Sequence, residues 1–81
     1  KDFALAESLA RQALELARKV GRQESIAADY RRLCEALAGQ GRLNEARENA
    51  VRAEEIYERL GSSYLPYLQL SRLLLGPSTG S

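Results

Sequence analysis

The chain has 81 residues, with twelve Lys or Arg against eleven Asp or Glu and a net charge of +1. That size allows one small domain, and the balanced charge offers no general attraction to nucleic acid or to an anionic membrane surface. With no His and a single thiol, Cys34, a His/Cys zinc site, a histidine-based triad and an internal disulfide are all excluded.

The spacing of small and apolar residues predicts four helices in chain order. The first covers about 2–20, where Phe3, Ala6, Leu9, Ala10, Ala13, Leu16, Ala17 and Val20 recur at steps of three and four and form one amphipathic face. Arg18 and Lys19 suit the negative end of its dipole, and Gly21 is its expected stop. The second covers about 24–38 and carries Ile26, Tyr30, Leu33, Cys34 and Leu37 on one stripe before Gly39-Gln40-Gly41 ends it. The third covers about 43–60, with Leu43, Ala46, Ala50, Ala53, Ile56, Tyr57 and Leu60 on one face and Gly61 after it. The fourth covers about 63–75, capped near Ser62-Ser63, with Pro66 in its first turn and Gly76-Pro77 as its stop. Residues 76–81 read as a flexible tail or linker. Short turns between such helices make neighbours antiparallel.

Helix 1 repeats as helix 3, and helix 2 as helix 4. A shift of 40 residues aligns Ala6, Ala10, Ala13 and Gly21 with Ala46, Ala50, Ala53 and Gly61, and Arg32 and Leu33 with Arg72 and Leu73. Leu16 falls on Ile56, Val20 on Leu60 and Tyr30 on Leu70. The alanines carry little hydrophobic energy of their own. They set how closely a facing helix, bearing large residues, can approach.

These residues resemble the tetratricopeptide repeat. Tyr30 stands at the first large position of that motif, Leu33 and Cys34 at its Leu-small pair, Leu37 at its next large position and Gly41 at its turn glycine. Ala46, Ala50 and Ala53 take the small positions of the second helix, and Gly41-Arg42-Leu43-Asn44-Glu45-Ala46 is similar to the family's turn into it. Residues 27–60 thus resemble one nearly complete repeat, 3–20 the second helix of a preceding one and 64–75 the first helix of a following one. Glu58 stands where the family usually ends its repeat on proline, Pro77 stands where Leu37 stood, and the period is 40, as in longer-repeat variants. The resemblance implies an all-α fragment of a solenoid, antiparallel helix-turn-helix units occupying residues 1–75. It implies that Ala28, Arg31, Arg32, Glu35, Ser71 and Arg72 lie on or near a concave surface, where arginines can pair with the carboxylates of a bound peptide.

Helix 4 is apolar nearly all round, and Tyr64, Tyr67, Leu68, Leu74 and Leu75 are expected to meet another chain, giving self-association or a homodimer. Glu54, Glu55 and Glu58 fit surface pairing with Arg47, Arg52 and Arg59 better than acid/base chemistry or metal binding. Cys34 is expected to be buried and inert. No Gly-rich phosphate loop is present, and the aromatics fall on core stripes and not among the arginines. The expectation is therefore a protein-interaction scaffold binding a peptide or partner domain, or else an assembly module. Neither is an enzyme or takes a cofactor, and neither binds nucleic acid or membrane. No apolar run approaches the roughly 18–20 residues of a membrane span. No signal peptide is visible and the chain does not begin with Met, so it reads as a piece of a longer, cytoplasmic protein.

Overall fold

A computed structural model describes residues 2–61, and these are all-helical with no strand among them. The order is α1 (Phe3–Val20), α2 (Gln23–Gly39) and α3 (Leu43–Leu60), bounds close to those the spacing predicts. The expected fourth helix, the tail, and with them Tyr64, Tyr67, Leu68, Ser71, Arg72, Leu74 and Leu75 lie outside the described residues.

Local chemistry sets the helix ends. The Leu5 N–H donates to the Asp2 carboxylate at 2.9 Å, a side-chain N-cap of the kind that contributes about 1 kcal/mol. Gly21 closes α1 in the left-handed region at φ 81°, its N–H donating to the Ala17 carbonyl. That conformation is open to glycine at no steric cost. Gly41, at φ 78°, does the same in the turn from α2 to α3.

α2 lies in the middle. It packs against α1 on one side and α3 on the other, and α1 and α3 do not pack against each other. Its stripe of Ile26, Tyr30, Leu33, Cys34 and Leu37 is buried, joined by Ala27 and Ala36. From α3 come Ala46, Ala50, Ala53, Ile56 and Tyr57, with Leu60 against the same cluster. Leu43, expected on that face, is instead exposed at the helix start.

α1 departs further from expectation. Its buried residues are Ala10, Leu14 and Ala17, and Leu14 was not on the expected face. Leu9, Leu16 and Val20, which were, stand exposed, as does Leu5. The cause is geometric. Apolar residues occur on two adjoining faces of this helix, and α2 covers only one of them.

The open end of α1 is latched to the α2–α3 turn. The Glu7 carboxylate accepts from Gln40 Nε2 at 2.9 Å, Arg42 Nη1 at 2.8 Å and Arg11 Nε at 2.9 Å. Gln40 also donates to the Phe3 and Ala36 carbonyls, while Arg42 grips Glu45 with two nitrogens, both at 2.9 Å. Beside this network the Phe3 ring lies directly on Gly39, where a Cβ would fall 2.4 Å from the ring.

Two predictions follow from this latch. Gly39→Ala is expected to destabilise the fold by about 1–2 kcal/mol in urea melts although alanine is the better helix former, because the ring must move. In a Phe3→Ala background the same change should be neutral or stabilising. The hydrogen bond from Gln40, with those from Arg11 and the charge of Arg42, holds the Glu7 carboxyl down at about 2 against an ordinary 4.5. A lowered folded-state value makes its contribution complete above 4.5 and lost as pH falls toward 2. The difference in thermal stability between wild type and Glu7→Gln, followed by circular dichroism, should be constant near neutral pH and shrink across that acid window.

Candidate functional site

A groove of about 740 Å³ lies between α1 and α2. Phe3, Ala6, Ala10 and Ala13 line it from α1 at steps of three and four, with Leu9 beside them. Asp29, Arg32, Ala36 and Gly39 line it from α2 at the same steps. Each wall thus presents small residues at helical spacing along one face, Ala6, Ala10 and Ala13 on α1 and Ala36 and Gly39 on α2. Asp2 and Glu35 add acidic groups to the lining.

The polar groups of the groove are paired. Arg32 Nη1 donates to Asp29 Oδ1 at 3.0 Å, one turn away on α2. The Asp29 side chain is buried, whereas that of Arg32 is 60% exposed, so the guanidinium is anchored at one edge and open to solvent at the other. A guanidinium so placed keeps donors for a second carboxylate.

Of the residues expected on a binding surface, Arg32 and Glu35 lie in this groove. Ala28 is half-buried. Arg31, expected to face a ligand, has a side chain only 17% exposed and sits 3.7 Å from Glu35, so it is a less accessible group than Arg32. The residues that build the apolar wall, Phe3, Ala6, Leu9 and Ala13, were legible only as a core stripe of helix 1. The local pattern marks a face as apolar, and only the packing reveals that no other described helix covers it.

At the opposite end of α1, Tyr30 joins all three helices. Arg18 of α1 donates to its hydroxyl, and its guanidinium carbon lies 5.5 Å from the ring centroid. Arg52 of α3 lies 5.9 Å from the same centroid. Both cations are within cation–π range of the one ring, so Tyr30 touches side chains of α1 and α3 at once. Arg52 therefore serves Tyr30, where the spacing had suggested surface pairing with glutamates of its own helix.

Among the described residues no cluster of His, Cys, Asp or Glu has the grouping to hold a metal ion. No described helix is long and apolar enough to cross a membrane. Cys34 is wholly buried, and burial, with the charge of Glu35, pushes its thiol up to about 11. A thiol so protected and so fully protonated is a poor nucleophile. It should resist aromatic disulfide reagents at neutral pH in the native protein and react at full rate in urea. Rapid labelling of the folded chain would contradict its burial.

No protein-family model matches this chain, and no curated protein sequence or solved structure matches it either.

Proposed function

We propose that this chain is a protein-interaction module of the tetratricopeptide type, whose α1–α2 groove seats an amphipathic helix of a protein partner. One observation carries the reading. Two neighbouring helices turn small residues toward an open channel and leave one large apolar side chain, Leu9, uncovered along it. A channel walled by alanine and glycine is the shape that receives a helix with large residues along one face, the helix-in-groove mode of recognition.

The charges refine the ligand. Asp2, Asp29 and Glu35 with Arg32 give the groove both signs. Its partner helix would carry an apolar stripe for the walls and a carboxylate placed to reach Arg32. On this reading Arg31 supports Glu35; Ser71 and Arg72, the counterparts of Arg31 and Arg32 under the 40-residue shift, lie outside the described residues. The module binds and does not catalyse.

Selection from a library of displayed random peptides tests the proposal. Enriched sequences should show apolar residues at steps of three and four. Their binding should fall by tenfold or more, about 1.4 kcal/mol, on Leu9→Glu or Ala6→Glu, both at exposed positions where the fold tolerates a charge. Arg32→Ala should weaken the acidic peptides selectively. Enrichment that ignores these substitutions would remove the groove from consideration.

A further inference from the structure

Away from the groove, the fold gathers hydrogen-bond donors around Tyr30 without acceptors to match them. Tyr30 is 7% exposed, and its hydroxyl oxygen accepts from Arg18. A phenol that accepts through its oxygen still has its own proton to donate. Among the described residues no acceptor takes that proton. A donor left over on a side chain so deeply buried is costly, and folded proteins nearly always supply it with an acceptor.

Arg18 and Arg52 reach this side chain from two helices that do not pack against each other, α1 and α3. Their guanidinium carbons lie 5.5 and 5.9 Å from one ring centroid. Like charges held this near one another repel, and an anion shared between them is attracted by both. Neither arginine forms an ion pair among the described residues. Carboxylates stand within a helical turn of each, yet they do not serve them. Glu15, three residues before Arg18, lies 3.9 Å from Lys19 instead. Glu48 and Glu55 flank Arg52 on α3 and pair with neither arginine. Both arginines are exposed, so a ligand can reach them. Neither they nor Tyr30 line the α1–α2 groove.

We infer that Arg18, Arg52 and the Tyr30 hydroxyl form a binding site for a phosphate monoester. The site offers donors from three side chains and no acceptor, which selects an anion. Guanidinium forks match the oxygen edges of phosphate and of carboxylate. A phosphate monoester presents three strong acceptor oxygens, enough for both forks and the hydroxyl, and carries about two negative charges at neutral pH against two guanidiniums. A carboxylate has two oxygens and one charge. The site is independent of the groove and holds or fails without it.

The test is a titration of the isotope-labelled full chain at constant ionic strength, followed by NMR at the arginine Nε–H signals. The probes are phosphoserine capped at both ends, inorganic phosphate and acetate. Capped phosphoserine should shift the Arg18 and Arg52 signals together and saturably, with a dissociation constant of about 1 mM or tighter. Acetate should bind about tenfold more weakly or worse. Arg18→Gln and Arg52→Gln should each weaken phosphoserine binding by about tenfold. Tyr30→Phe keeps the ring and should weaken it by about threefold. Phosphoserine binding tighter than inorganic phosphate supports the site with a phosphorylated partner as its source, and equal binding supports it with the free ion. Shifts that fail to saturate by about 20 mM overturn the inference, as does acetate binding equal to phosphoserine. So does binding that ignores any one of the three substitutions. Should a glutamine variant lose its helical circular dichroism, lysine at the same position decides. It keeps the charge without the fork, and unchanged binding then overturns the inference.

Discussion

The close seam between α2 and α3 is the contact on which the rest of the described structure depends. Ala46, Ala50 and Ala53 have no exposed surface, and they present three successive turns of α3 without a large side chain. That lets α2 approach closely enough for Leu33, Leu37 and Cys34 to become the most completely buried large side chains. The alanines contribute little transfer energy. The leucines they admit contribute about 1.5–3 kcal/mol each. A larger residue at any of the three alanines would hold the helices apart and uncover those leucines together.

α2 is therefore the axis of the fold, and α1 is attached to it at two points. At one end Glu7 gathers Gln40, Arg42 and Arg11 while Phe3 rests on Gly39. At the other, Arg18 reaches the hydroxyl and ring of Tyr30. Between these points the contact is made by Ala10, Leu14 and Ala17. The groove follows from this arrangement. α1 is held firmly through one face, and the adjoining face stays open with its small residues paired to those of α2. Polar fastenings suit such a place, because they set orientation without consuming the apolar surface beside them.

Several elements were legible locally. Helix bounds could be read because glycine and the capping residues act within a turn of where they stand. The α2 stripe could be read because a helix covered on two sides needs all its large residues inward. The α1 face could not. Leu14 and Leu16 both fit an apolar pattern, and periodicity has no means of choosing between them when only one described helix packs against α1. The Glu7–Gln40–Arg42 network spans 33–35 residues of sequence and leaves no local trace. Arg52 looked like one more surface charge on an arginine-rich helix until α2 brought Tyr30 beside it.

The sequence by itself determined that residues 2–61 are helical, close to where their three helices begin and end, and that residues recur at a spacing of 40. Those properties depend on short-range backbone chemistry and on periodicity, which are written residue by residue. The tertiary structure alone decided which apolar face of α1 is covered, which arginine of the Arg31–Arg32 pair meets solvent, and where a channel opens. Each depends on how many neighbours a helix has and at what distance. That is a property of the assembled helices, and no single one of them carries it.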